Sequence, residues 1–96
     1  MDGNIKKYGP ESGLPKEFQG LMEEIAEHVH ETWAKGRLED GWTYGPVRND
    51  EKKETPCLVP YAQLPETEKD FDRRTAEATL LFILGKGYRI IPADSQ

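Results

Sequence analysis

The chain has 96 residues, of which 35% are hydrophobic and 32% charged, and its formal net charge is -5 at pH 7. This length allows one domain with one core. The net negative charge, without a continuous run of basic residues, argues against nucleic acid as a partner. No apolar run is long enough to span a membrane. One cysteine, Cys57, and no recognisable leader segment are typical of a cytoplasmic protein.

The N-terminal stretch differs in composition from the rest of the chain. Glycine, proline, serine and charged residues follow one another there without any period. We therefore expect an N-terminal arm over residues 1–14, which Tyr8 could anchor, and a single domain over residues 15–96.

A first helix is predicted from Pro15 onward. Its apolar residues recur at spacings of three and four, which places them on one helical face: Phe18, Met22, Ile25, Val29 and Trp33. Glutamates occupy the opposite side and form a solvated face. Gly36 or Gly41 is expected to end the helix.

The segment 41–64 is too long for an ordinary connection and too aromatic at its start for a disordered linker. An ordered loop of this length is usually functional. Within it, residues 57–61 could form a short strand, with residues 88–92 as the natural partner in a two-stranded ribbon.

A second helix is predicted to begin at Leu64-Pro65-Glu66 and to end at Gly85 or Gly87. Phe71, Thr75, Ala78 and Phe82 share one of its faces. Because the sequence is apolar on all sides after Ala78, Phe82 is expected in the core, where its replacement by alanine would cost about 3 to 5 kcal/mol. The predicted fold class is mainly α with minor β: two long packed helices, a long ordered loop and a short ribbon.

Motifs for metal binding and catalysis are missing. His28 and His30 are two residues apart on a helix and diverge by about 200°, so they cannot chelate one ion. No Gly-rich phosphate loop or nucleophile motif occurs. We therefore predict no metal, no cofactor and no enzymatic activity; hydrolysis with His30 as base is the weakest alternative.

One constellation suggests a binding site. Trp33 lies at the border between the core stripe and solvent, with cations nearby, and the loop then returns with further aromatic and cationic residues. Aromatic faces beside guanidinium groups suit a flat ligand that carries anionic groups. The candidate ligand-binding residues are His30, Trp33, Arg37, Trp42, Tyr44 and Arg48.

A purely structural interpretation of the same residues stays open. Trp33 could be core, and Trp42 could pin the loop against it. His30 could be a hydrogen-bonded structural residue, while the two arginines could pair with Glu39 and Asp50.

Three motifs carry a family resemblance: His-x-x-Trp-Ala-x-x-Arg at 30–37, Gly-Trp-Thr-Tyr-Gly-Pro-Val-Arg at 41–48 and Pro-Cys-Leu-Val-Pro-Tyr at 56–61. With them, the region from about Leu21 to Pro92 closely resembles the RyR repeat. This domain occurs in tandem in the cytosolic part of the ryanodine receptor calcium-release channels and as single copies in some bacterial and viral proteins.

The resemblance implies two packed helices joined by an extended loop, and a cleft that accepts an adenine nucleotide against its tryptophans. By matched position, Trp33 would be the stacking residue, surrounded by the other five candidates. In the channels two repeats associate, so a single repeat implies a homodimer. A protein-protein interaction module that uses the same aromatic loop is the alternative. The channel function itself does not transfer, because the repeat is peripheral to conduction.

Overall fold

The computed structural model describes residues 13–95, and its main elements are two long helices that pack against each other. Helix α1 spans Gln19–Glu39 and helix α2 spans Glu66–Gly85. Short 3₁₀ turns precede each helix, at Lys16–Phe18 and Tyr61–Gln63, and a third lies at Ala93–Ser95. The predicted fold class is confirmed. Tyr8 and most of the predicted arm lie outside the described residues.

The core consists of two clusters between the helices. Small residues, Ala26 of α1 and Ala76 of α2, are fully buried in the first cluster, and their size lets the helices approach closely. Tyr61 and Leu64, from the turn before α2, complete this cluster. The second cluster contains Leu14, Leu80 and Leu81. Leu14 therefore packs into the domain, although the predicted arm included it.

The placement of Phe82 in the core is wrong. Phe82 is 53% exposed, and Phe71, Thr75 and Ala78 on the same face are also exposed. Helix α2 turns a different face toward α1, because Ala76 and the two leucines Leu80 and Leu81 fill the space between the helices. The predicted end of α2 is correct: the helix stops at Gly85, and Gly87 adopts a positive φ of 97°.

The sheet lies at a different place from the predicted ribbon. Strand β1 (Thr43–Tyr44) pairs in parallel with strand β2 (Glu54–Thr55). Residues 57–61 and 88–92 do not pair, because they cover different clusters: Cys57 and Val59 pack on the first and Ile90 on the second. Pro60 also lacks a backbone donor.

A charged cluster ties the two helices together on one side, and we call it the Arg73 cluster. Arg73 of α2 donates to Glu23 of α1 at 2.8 and 3.1 Å, and to Glu66 and Asp70 of its own helix at 3.0 and 2.8 Å. The Tyr61 hydroxyl donates to the same Glu23 carboxylate at 3.0 Å. Three carboxylates thus share one guanidinium, which fits its planar fork of donors.

Within residues 13–95, neither long helix has an apolar stretch that would serve to cross a bilayer.

Candidate functional site

The C-terminal end of α1 sets up a stack of aromatic rings and guanidinium groups. Trp33 and Arg37 are four residues apart and so lie on one face of the helix, with the Arg37 Cζ 5.7 Å from the Trp33 ring centroid. The same guanidinium also lies 4.8 Å from the Trp42 ring centroid. The Arg48 guanidinium follows at 5.7 Å from Trp42. We call these four residues the Trp–Arg array.

The end of α1 explains why Trp42 folds back onto Arg37. The Gly41 N–H donates to the Leu38 carbonyl at 3.1 Å, and the Trp42 N–H donates to the Arg37 carbonyl at 2.9 Å. These two bonds form a Schellman motif, which requires the left-handed conformation that Gly41 adopts, with a φ of 91°. One glycine therefore sets the position of the Trp42 indole.

The two tryptophans differ in accessibility. Trp42 is only 9% exposed, so its indole is packed within the protein, as the structural interpretation of the loop predicted. Trp33 is 36% exposed. Part of its indole therefore remains accessible, although His30 and Arg37 lie beside it. Stacking of a flat ligand is therefore possible on Trp33.

The two arginines also differ. Arg48 forms an exposed ion pair with Asp50 at 2.8 Å. Arg37 is half-buried, and its guanidinium makes no hydrogen bond or ion pair to any residue of the described range; the proposed pair with Glu39 does not form. Its donors remain available to an anion at the edge of the array.

His30 is a structural residue as well as a wall of the site. It is 4% exposed, and its Nε2 donates to the Val59 carbonyl at 2.7 Å, which ties α1 to the segment before Tyr61. The ring lies 5.7 Å from that of Trp33. A carbonyl oxygen only accepts hydrogen bonds, so Nε2 carries the proton of this bond.

A cavity of about 260 Å³ opens beside Trp33, between the two helices and the chain that follows β2. We call it the Trp33 cavity. Helix α2 contributes three residues that the sequence did not indicate as site residues, Glu68, Phe71 and Asp72. Phe71 and Asp72 follow Glu68 by three and four residues, so the sequence indicated that the three lie on one side of the helix. It did not indicate which part of the protein lies opposite them. The other lining residues are His30, Arg48, Thr55, Cys57 and Leu64.

The cavity is acidic on its α2 side. Burial raises the pKa of the Asp72 carboxyl above its ordinary value, and the neighbouring His30 partly opposes this rise. Burial also raises the pKa of the Cys57 thiol, and the Glu68 carboxylate beside it acts in the same direction. An anionic group would be repelled from this side, so the cations of the Trp–Arg array are the better place for it.

Tyr44 lies in a separate cleft. This cleft, of about 610 Å³, is on the other side of His30 and is lined mainly by apolar residues that include Leu38, Leu58 and Val59. The six candidate residues therefore divide into three that line the Trp33 cavity (His30, Trp33, Arg48), two that stack beside it (Arg37, Trp42), and Tyr44.

Among residues 13–95, no three side chains of histidine, cysteine, aspartate or glutamate converge in a way that could hold an ion.

Comparison with known protein families agrees with the three motifs and with the helix pair. The sequence model of the RyR domain matches residues 11–92, which is most of the chain and includes both helices, the loop and the Trp–Arg array. The chain therefore belongs to the RyR domain family.

Proposed function

We propose that this domain is a non-catalytic binding module that holds a nucleotide-like small ligand. The supporting observation is the Trp33 indole, which is 36% exposed at the edge of a cavity and has guanidinium groups nearby. The flat part of the ligand stacks on Trp33, while Arg37 and Arg48 contact its anionic end. Stacking of one base on an aromatic side chain contributes about 1 to 3 kcal/mol.

Titration of ADP, ATP and cyclic nucleotides tests this proposal, with tryptophan fluorescence and calorimetry as the measurements. Trp33→Ala should weaken binding by about 5- to 160-fold, which corresponds to the stacking energy. Tyr88→Ala is the matched control, since Tyr88 is an exposed aromatic residue outside the Trp33 cavity and should not affect binding. No binding at millimolar nucleotide, or full affinity in Trp33→Ala, contradicts the proposal.

The second candidate function is a protein-protein interaction module. It is supported by the apolar cleft beside Tyr44, where Tyr44 and Leu38 are both more than half exposed. Exposed aromatic residues often act as anchors in protein interfaces. Here a co-purifying protein should be lost in Tyr44→Ala and kept in Trp33→Ala, and nucleotide should have no effect on its binding.

We also propose that the domain forms a homodimer through the exposed face of α2. Phe71, Thr75 and Ala78 are exposed and uncharged on this face, and the Arg74 guanidinium lies 5.8 Å from the Phe71 ring. Acidic residues dominate the first turns of α2, and Lys86 follows its end, so a second copy in the opposite orientation would bring opposite charges together. Light scattering after size exclusion should show a dimer that Ala78→Arg dissociates and Ala93→Arg does not. A monomer at all concentrations contradicts the dimer.

A further inference from the structure

The Trp33 cavity contains hydrogen-bond acceptors that the proposed contacts do not use. Asp72 and Glu68 lie four residues apart on α2 and border the cavity together. Asp72 is half-buried and forms no hydrogen bond or ion pair with any residue between 13 and 95. Other carboxylates of α2 behave differently: Glu66 and Asp70 both accept hydrogen bonds from Arg73.

On the α1 side of the cavity, the buried polar residue is His30. His30 is more than nine-tenths buried and uses Nε2 to donate to Val59. His30 also lines the cleft beside Tyr44, so the carboxylate acceptors that border the Trp33 cavity and not that cleft are those of Asp72 and Glu68.

The size of the cavity limits which part of a ligand can enter. About 260 Å³ is slightly below the usual range for small-molecule sites, roughly 300 to 1,000 Å³. A base fits next to Trp33, but a whole nucleotide does not, so the phosphates stay at the edge of the cavity, where Arg48 lines it and Arg37 lies beside Trp33. The atoms that meet Asp72 and Glu68 therefore belong to the edge of the base.

We infer that the Trp33 cavity selects a base with an exocyclic amino group, which donates hydrogen bonds to Asp72 and Glu68. A carboxylate only accepts hydrogen bonds, so an amino group forms a charge-assisted bond with it, whereas an oxo group at the same place meets repulsion between lone pairs. Sites built to bind an N–H group strongly reject analogues that lack it. This inference rests on the proposed function.

Binding of AMP, GMP and IMP to the full chain tests the inference. IMP lacks the amino group of both other nucleotides, because it has an oxo group at C6 and hydrogen at C2. We expect the better of AMP and GMP to bind about 10- to 100-fold more tightly than IMP, the factor for one hydrogen bond to a charged group. Equal affinity for all three nucleotides overturns the inference but leaves the proposed function intact, whereas no binding of any nucleotide overturns both.

Variants then assign the preference to the α2 carboxylates. Asp72→Asn, alone and combined with Glu68→Gln, should remove most of the discrimination, mainly because IMP binds better once the amide can donate to its oxo group. Asp70→Asn is the control: it removes a charge from the same helix at a position outside the cavity, and the preference should persist. An unchanged AMP or GMP preference in the folded double variant overturns the role of Asp72 and Glu68.

Discussion

Arg73 and Arg37 show two uses of the same side chain. Arg73 donates to three carboxylates and connects both helices, so its hydrogen-bonding capacity is taken up within the fold. Arg37 is held in place by two indole rings, but its guanidinium has no acceptor among residues 13–95. An arginine whose partners are all internal stabilises the fold, whereas one that is positioned and left without acceptors can bind something else.

If the helix pair carries the stability of the domain, Leu80→Ala should be strongly destabilising. Leu80 is 3% exposed between the helices, so its truncation should lower the free energy of unfolding by about 2 to 5 kcal/mol through lost transfer energy and a cavity. Phe82→Ala should cost less, below about 1 kcal/mol, because more than half of that ring is exposed. Urea unfolding followed by circular dichroism measures both, and a larger effect for Phe82 contradicts the described packing.

Arg73→Ala should be the most destabilising of the arginine variants. It leaves Glu23, Glu66 and Asp70 close together without their shared cation, so we expect the Tm to fall by several degrees. Nucleotide affinity should stay unchanged, because the Arg73 cluster lies outside the Trp33 cavity. Thermal melts measure the Tm, and titrations measure the nucleotide affinity. A Tm equal to that of the wild type contradicts a structural role for Arg73.

The pH dependence of stability that arises from the Arg73 cluster should be a smaller effect than the loss of Arg73 itself. The hydrogen bond from Arg73 lowers the pKa of Glu23 below its ordinary 4.5, although burial opposes this. Because the folded pKa is below the unfolded one, the stabilisation is present above about pH 4.5 and is lost as the pH falls through the folded pKa. The difference in stability between wild type and Glu23→Gln should therefore shrink in acid, as denaturant melts at pH 7 and pH 3 would show. A constant difference contradicts the pKa shift.

Tyr61 reports on the same carboxylate at high pH. Burial, followed by the hydrogen bond to Glu23, raises the pKa of Tyr61 to about 12. Glu23→Gln should bring this pKa part of the way back toward 10, since the effect of burial remains. Tyrosinate absorbance in a pH titration measures this change, and Tyr61→Phe identifies the signal. An unchanged titration in Glu23→Gln shows that the hydrogen bond contributes nothing.

Arg37→Ala should have the smallest effect on stability and the opposite profile to Arg73→Ala. Loss of its contacts with Trp33 and Trp42 should change the free energy of unfolding by about 1 kcal/mol or less. Nucleotide affinity should fall about tenfold, because the anionic end loses a charged donor. Arg89→Ala, at an exposed position near the C-terminus, is the control. Unchanged affinity in Arg37→Ala removes Arg37 from the site.

Local sequence signals predicted the elements but not their contacts. Spacing located both helices, and the glycines near 41 and 87 marked the ends correctly. The parallel pairing of Thr43–Tyr44 with Glu54–Thr55 could not be foreseen, because strands of two residues show no alternation. Phe82 was misplaced because an all-apolar stretch does not reveal which face meets the neighbouring helix.

In the candidate site too, neighbours on one helix could be predicted from the sequence, whereas contacts between helices could not. Trp33 and Arg37 share a helical face, so the sequence alone indicated that they lie together. Asp72 and Glu68 come from another helix, and their part in the cavity depends on how α1 and α2 pack. His30 carried two interpretations in the sequence, and its bond to Val59 confirms the structural one.

The Schellman motif at Gly41 has a consequence for the order of folding. It closes the contact between Trp42 and Arg37 within a few residues of the end of α1, so this contact can form as soon as that helix does. The Trp33 cavity forms only after the second helix docks, because α2 supplies part of its lining. During refolding, quenching of the indole emission should precede the recovery of nucleotide binding.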